Sequence, residues 1–136
     1  MGQHDLYKKI LEITSRDSRY RPQAYHFIFD ALEYTIEKLG RNQKTGTDRH
    51  ITGQELLEGI RTFGKDQFGL LARVVFDYWG VHETQDFGEI VFNLVENQLL
   101  SRRDSDTKEY FKDVFDFKKA FEEDYEIEIP WDRIGR

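Results

Sequence analysis

Residues 66 to 79, which read DQFGLLARVVFDYW, hold nine apolar side chains and a narrow polar seam at Gln67, Arg73 and Asp77. A helix that is apolar around most of its circumference is buried on most of its sides. Glycine is the residue best able to adopt the left-handed conformation that ends a helix. We therefore predict one continuous helix here, at the centre of the fold, ended by Gly80.

Two further helices are predicted before the first long polar stretch. Apolar side chains recur every three or four positions over residues 3 to 14 and over residues 22 to 39. Pro22 suits the first turn of a helix, and Gly40 suits the residue that ends one. The apolar face of the second helix is broad, which predicts more than one packing neighbour. Residues 41 to 50 have no periodicity and are predicted to form a loop.

Two capping patterns mark later helix starts. The strings TGQE from Thr52 and DFGE from Asp86 have the spacing of a capping box, in which cap and third residue bond reciprocally. The first of these helices is predicted to end before Gly64, and the second at residue 99 or 100.

The region after residue 100 is ambiguous. Residues 106 to 115 carry a capping signal and apolar side chains at helical spacing, but they also fit a strand paired with residues 99 to 103. We favour the helix and keep the hairpin as the alternative. Residues 117 to 125 are predicted to be helical. Residues 126 to 136 alternate EIEI before a proline, which predicts an extended tail.

The predicted fold class is mainly α: a single-domain bundle of about six helices over residues 1 to 125, with the small β-hairpin after residue 98 left open. The absence of cysteine excludes disulfides, zinc–thiolate sites and thiol nucleophiles. The first nine residues lack the apolar core of a secretory signal, and no stretch has the ~18 apolar residues of a membrane span. We therefore expect a cytoplasmic protein with no membrane partner.

The net charge of −6 argues against a protein held to nucleic acid by bulk attraction. The charge is uneven, because residues 1 to 65 sum to +2 and residues 66 to 136 sum to −8. Basic side chains of the first half concentrate in two connecting segments. Ordinary solvated loop charge is the favoured interpretation, and an anion-binding edge is the alternative. The residues concerned are Arg16, Arg19 and Arg21, then Arg41, Lys44, Arg49 and His50.

The capped helix start at Thr52 is a second candidate for anion binding. Helix N-termini attract anions through unpaired N–H groups and the macrodipole, and Arg49 and His50 lie beside this one. Plain helix initiation is the favoured interpretation. The candidate anion- or partner-binding residues are thus Arg16, Arg19, Arg21, Arg49, His50 and Thr52.

No catalytic signature is present, and we expect no cofactor. His26, Asp30 and Glu33 share one helix face and have metal-ligand chemistry, but that face lies opposite the apolar stripe, so an ordinary solvated surface is favoured over a metal site. A winged-helix reading would place residues 86 to 100 in the DNA major groove. That helix displays glutamates rather than cations, which makes DNA an improbable partner.

Twenty residues are aromatic, and most lie at helical core spacing. The rings outside that pattern are the candidates for exposed partner contacts. A homodimer formed through the second helix would use Phe29 and Tyr25. The candidate rings are Tyr20, Phe29, Tyr125 and Trp131.

Three blocks carry a resemblance to a known family: RYRPQAYHFIFDALEYT from Arg19, RHITGQELLEGIRTFGKDQFG from Arg49 and WGVHETQDFGEIVFNLVENQLL from Trp79. With DVFDFKKAF from Asp113, they resemble a small uncharacterised bacterial protein family found mainly in planctomycetes and verrucomicrobia. The resemblance spans roughly residues 5 to 121. It implies a single domain and supplies no activity, cofactor or catalytic residue.

Three classes of function remain open at this point. The leading hypothesis is a non-enzymatic protein-interaction or adaptor domain, which contacts a protein partner through its acidic C-terminal half or exposed aromatic rings. The alternative is an RNA- or ribosome-associated factor that uses the basic segments 16 to 21 and 41 to 50. An enzyme with an unrecognised site comes third.

Overall fold

The computed structural model describes residues 3–41, 51–101 and 111–123. These three segments contain no β-strand, so the prediction of a mainly α fold is confirmed. None of the described helices is long and apolar enough to cross a membrane. The five α-helices of the described segments are α1 (Gln3–Arg16), α2 (Pro22–Lys38), α3 (Gly53–Phe68), α4 (Ala72–Tyr78) and α5 (Thr84–Glu96).

The predicted continuous helix over residues 66 to 79 is wrong. The backbone breaks at Gly69, whose φ of 57° is left-handed and is accessible to glycine without a steric penalty. α3 therefore continues through Gly64 and ends at Phe68, and a 3₁₀ turn over residues 69 to 71 leads into α4. α4 is also not central, because only Ala72 and Phe76 of its seven residues are buried.

The central helix is α2, which packs against α1, α3 and α5. This agrees with the broad apolar face predicted for it. The helix ends at Lys38, one residue earlier than predicted, and Gly40 follows with a left-handed φ of 72°, as expected. The Arg41 N–H donates to the Ile36 carbonyl at 2.9 Å and the Gly40 N–H to the Glu37 carbonyl at 3.0 Å, which satisfies carbonyls that a helix end leaves unpaired.

α2 and α3 approach each other closely where Gly59 faces Thr35. A Cβ atom on Gly59 would lie 1.8 Å from the Thr35 Oγ1 atom, so only glycine permits this approach. Thr35 is buried, and its hydroxyl donates to the Ala31 carbonyl at 2.7 Å within α2. The hydroxyl is therefore satisfied inside its own helix, although it faces Gly59 of α3.

Phe76 of α4 lies at the centre of an aromatic cluster. Its ring is fully buried, and the centroids of six other rings lie within 6.1 Å of its own. Such pairs contribute about 0.5–1.5 kcal/mol each beyond the area they bury. The six rings come from α2, α3, α5 and the segments that follow α4 and α5: Phe27, Phe68, Trp79, Phe87, Phe117 and Phe121.

One of the two predicted helix starts is confirmed and the other is wrong. The Thr52 hydroxyl accepts from the Glu55 N–H at 3.0 Å, and the Glu55 carboxylate accepts from the Thr52 N–H at 2.8 Å. α5 instead begins at Thr84, and Asp86 lies inside its first turn. The Asp86 carboxylate accepts backbone N–H groups from the residues before the helix, a role that its spacing to Glu89 does not reveal.

Of the predictions for the residues after α4, some are confirmed and others are wrong. α5 ends at Glu96 rather than near residue 100, and the chain turns at Gln98, whose φ is 62°. Residues 112 to 115, predicted to be helical, form turns instead, with Asp113 at a φ of 51°. Residues 117 to 123 are helical and end in a π-helical turn, Lys119–Glu123. The alternative hairpin would pair residues 99 to 103 with residues 106 to 115. Residues 99–101 and 111–115 form no strand, and residues 102–110 lie outside the described residues. The predicted extended tail, residues 126 to 136, also lies outside them.

The Gly59 contact yields a prediction for stability. We expect Gly59→Ala to destabilise the protein by about 2 kcal/mol, because the methyl group overlaps the Thr35 hydroxyl in a packed interface. Urea unfolding of Gly59→Ala, Thr35→Ala and the double variant measures the coupling. Removal of the hydroxyl should relieve the overlap, with a coupling of about 1 kcal/mol or more. Strictly additive effects would contradict this packing.

Candidate functional site

The predicted basic segment 16 to 21 lies against α5. The Arg19 guanidinium donates to both carboxylate oxygens of Asp17, at 2.8 to 3.2 Å, and reaches the Glu89 carboxylate at 3.4 Å. The Arg16 guanidinium donates to the Asn97 side-chain oxygen at 3.0 Å. These two predicted anion-binding residues are therefore both engaged with groups of the same chain.

Arg21 contacts the C-terminal end of α4 instead of α5. Its Nε donates to the Tyr78 carbonyl at 2.9 Å, and its guanidinium carbon lies 4.1 Å from the centroid of the Tyr78 ring. The Arg21 backbone N–H donates to the Trp79 carbonyl at 3.0 Å. Anion binding by the three arginines stays a prediction, and a ligand there would compete with these contacts.

A polar network joins the start of α2 to the middle of α5. The Asn93 side-chain amide donates to Asp17 at 3.1 Å and to the Tyr25 hydroxyl oxygen at 2.9 Å. Hydrogen bonds from Arg19, and then from Asn93, hold the pKa of the Asp17 carboxyl well below its usual range. Burial raises the pKa of Tyr25. The network therefore favours an ionised Asp17 and a protonated Tyr25.

Tyr20 is buried rather than exposed, so its prediction as a contact ring is wrong. Only 3% of the residue is exposed, and its hydroxyl donates to Asp86 Oδ1 at 2.7 Å. The other carboxylate oxygen accepts the backbone N–H groups of His82 at 2.8 Å and Glu83 at 3.2 Å. Burial, and then the Asp86 carboxylate, raise the pKa of Tyr20. Tyr20 thus fixes the segment before α2 to the start of α5.

The expected homodimer contact is wrong for Tyr25, which is fully buried. Phe29 is partly buried and packs against the core. Thr52 is exposed, and its hydroxyl is engaged in the helix cap. Arg49, His50, Tyr125 and Trp131 lie outside the described residues.

The favoured solvated surface is confirmed for Asp30 and Glu33, which are exposed, but not for His26. His26 is partly buried, and its ring stacks on Tyr7 of α1 with a centroid distance of 5.6 Å. His26, Asp30 and Glu33 line one pocket between α1 and α2. No group of three His, Asp or Glu side chains in the described segments is arranged to hold a metal ion.

Sequence reasoning missed an exposed apolar strip on α4 and the turn before it. Leu70, Leu71, Val74 and Tyr78 are 46%, 63%, 64% and 63% exposed. Spacings of three and four residues place Leu71, Val74 and Tyr78 along one helix face. The strong apolarity of residues 66 to 79 was interpreted as burial, and the glycine at position 69 was the one signal of a break.

Charged groups border this strip, which we call the α4 strip. Arg73 pairs with Glu122 of the π-helical turn. Asp77 lies 2.6 Å from His82 Nδ1, and its side chain is 69% exposed. Arg21 covers one side of the Tyr78 ring. The arrangement is an apolar surface with a polar rim, which is typical of sites of protein contact.

The chain matches no protein-family model, no curated protein and no solved structure. The resemblance to the planctomycete and verrucomicrobial family stays a prediction.

The Tyr20 hydrogen bond gives a testable prediction. We expect Tyr20→Phe to lower the free energy of unfolding by about 2 kcal/mol, because a buried bond to a carboxylate is lost. The matched control is Tyr78→Phe, at an exposed ring, which should change stability by less than about 0.5 kcal/mol. Denaturant unfolding of both variants provides the measurement, and equal effects would remove the assigned role of Tyr20.

The lowered pKa of Asp17 gives a prediction for pH dependence. A carboxyl whose pKa is lowered by folding stabilises the native state above its unfolded pKa, and that contribution is lost as the pH falls below about 4. Asp17→Asn should therefore be less stable than the native chain at pH 7, and the difference should shrink toward about pH 2. Urea unfolding across this range tests it, with Glu37→Gln as the control. Parallel curves for native chain and Asp17→Asn would contradict the prediction.

Proposed function

We propose that this chain is a protein-interaction domain and that the α4 strip is its contact surface. The observation that carries the proposal is the clustering of exposed apolar side chains. Nine large apolar residues of the described segments are exposed, and four of them lie between residues 70 and 78. Scattered exposed apolar residues are normal on a protein surface, whereas a contiguous group with a polar rim marks contact sites.

The strip is suited to a protein partner by its rigidity. Phe76 and Ala72 hold α4 from behind, because both are fully buried while the strip faces outward. A contact surface on a fixed helix loses little conformational entropy when it binds. Tyr78 adds an aromatic ring, a residue type enriched among the residues that dominate binding energy.

Charge complementarity indicates the chemistry of the partner. Residues 66 to 136 carry a net charge of −8, and the exposed Asp77 borders the strip. We propose a partner segment that presents apolar side chains flanked by Lys or Arg. A second copy of this chain would bring the same acidic half to the interface, and like charges brought together are unfavourable.

The alternative remains an RNA- or ribosome-associated factor that uses segments 16 to 21 and 41 to 50. Support for it in the first segment is weaker, because Arg16, Arg19 and Arg21 bond to groups of the same chain. Phosphate groups would have to replace those bonds. Steeply salt-dependent RNA binding that is lost in the triple variant Arg16, Arg19 and Arg49 to Ala would favour this alternative.

The test replaces two exposed residues of the strip and leaves the buried core unchanged. A partner identified by cross-linking is purified, and its affinity is measured by calorimetry. We expect Leu71→Asp with Val74→Asp to weaken binding by at least about thirtyfold, which equals about 2 kcal/mol. Both side chains are more than half exposed, so the free energy of unfolding should change little.

The matched control is Leu11→Asp with Leu39→Asp, two exposed leucines outside the strip, 42% and 44% exposed. This variant should bind the partner as the native chain does. Equal losses in both variants, or no loss in the strip variant, would reject the α4 strip as the contact surface. Self-association lost in the strip variant would assign the strip to a second copy and reject the basic partner.

A further inference from the structure

The π-helical turn Lys119–Glu123 ends beside the α4 strip. It packs against α4 and against the turn that precedes α4. Glu122 forms an ion pair with Arg73, which borders the strip. On the buried side of α4, the Phe121 ring lies 5.1 Å from the Phe76 ring, measured between centroids. The residues that follow the π-helical turn therefore leave it next to the strip.

The sequence that follows has an apolar side and an acidic side. Residues 125 to 131, which we call the 125–131 segment, read YEIEIPW, with large apolar residues at the odd positions and both glutamates at even ones. Side chains two positions apart lie on one face of an extended chain. Strict alternation is typical of a segment that covers an apolar surface on one side and meets water on the other. The apolar residues are Tyr125, Ile127, Ile129 and Trp131.

The α4 strip matches this segment in kind and in length. The described part of the chain contains no β-strand with whose edge an extended segment could pair, whereas the strip offers four exposed apolar side chains close together. These side chains extend over residues 70 to 78, about 12 Å along the helix axis. Seven extended residues span up to about 23 Å, so the 125–131 segment is long enough to cover the whole strip.

The segment also has the chemistry proposed for the external partner. Arg133 and Arg136 follow its apolar residues, and Asp77 at the border of the strip offers a carboxylate that is 69% exposed. A short connection to the π-helical turn gives the segment an effective concentration of about 1 mM at the strip. Even a weak contact, with a Kd of about 1 mM, would therefore cover the strip in about half of the molecules.

We propose that the 125–131 segment occupies the α4 strip of its own chain and so competes with the external partner. The four apolar side chains of the segment pack on the strip, and its glutamates face water. A partner then binds only the molecules in which the strip is open, and its affinity is lowered in proportion to that fraction. The competition rests on the proposed function, whereas the contact within the chain is measured without a partner.

The experiment uses a nitroxide label in the full chain, which has no cysteine of its own. Asp132→Cys places the label beside the segment, and the amide resonances of the ¹⁵N-enriched chain are compared with those of the reduced label. We expect resonances of residues 70 to 78 to lose intensity at least about twofold, since the segment is bound in about half of the molecules. No loss would overturn the proposal. Equal loss in a mixture of labelled and ¹⁵N-enriched chains would assign the contact to a second copy and overturn it too.

Two matched pairs of substitutions test which side of the segment makes the contact. In the labelled chain, Ile127→Ser with Ile129→Ser removes apolar side chains from the odd positions and should abolish the intensity loss. Glu126→Ser with Glu128→Ser changes the even positions of the same segment and should retain it. The strip variant should abolish the loss as well. Equal effects of the two serine variants, or a loss that persists in the strip variant, would overturn the proposal.

The affinity for the cross-linked partner separates this inference from the proposed function. Ile127→Ser with Ile129→Ser should bind the partner about twofold more tightly than the native chain, because the strip is then open in all molecules. The variant with both glutamates replaced should not bind more tightly. Unchanged affinity in the isoleucine variant, with a loss in the strip variant, would reject the competition and leave the proposed function standing. Intensity loss at the strip, with native partner affinity in the strip variant, would reject the proposed function and keep the contact within the chain.

Discussion

The packing of one buried ring, Phe76, holds the described parts of the chain together. α4 is only seven residues long, too short to be stable alone, yet Phe76 contacts rings from α2, α3, α5 and the π-helical turn. Gly64 of α3 permits this, since a Cβ atom there would lie 2.9 Å from the ring. Seven aromatic rings of the described segments therefore form one cluster that joins α2, α3, α4, α5 and the π-helical turn.

The same constraint produces the exposed surface. A short helix that inserts one ring and one alanine into the core has to turn its remaining apolar side chains outward. Leu71, Val74 and Tyr78 are exposed for this reason, and residues with core chemistry become a contact surface. The buried side of α4 thus contributes to stability, and its exposed side forms the proposed contact surface.

The segment before α2 shows the opposite case: it looks like a binding surface in the sequence but has a structural role. In the sequence, the charges of this segment resemble those of a binding loop. In the structure, Asp17, Arg19 and Tyr20 form hydrogen bonds to Asn93, Glu89 and Asp86 and fix the segment to α5. The segment also packs closely against Gly80, whose φ is 91°. A Cβ atom on Gly80 would lie only 2.2 Å from the Arg19 carbonyl oxygen, so only glycine fits there. Partners 60 to 80 residues apart in the chain decide these contacts, and no local pattern in the sequence gives their positions.

The sequence by itself determined the helical class, the bounds of α2 and the Thr52 cap, because periodicity, Pro22 and capping pairs act over a few residues. It also indicated that His26, Asp30 and Glu33 share one face of α2. Only the tertiary structure decided that His26 stacks on Tyr7 of α1, that Tyr20 is buried and that the α4 strip is exposed. Whether a side chain is buried depends on which element, distant in sequence, packs against it. The apolarity of the side chain does not specify that element.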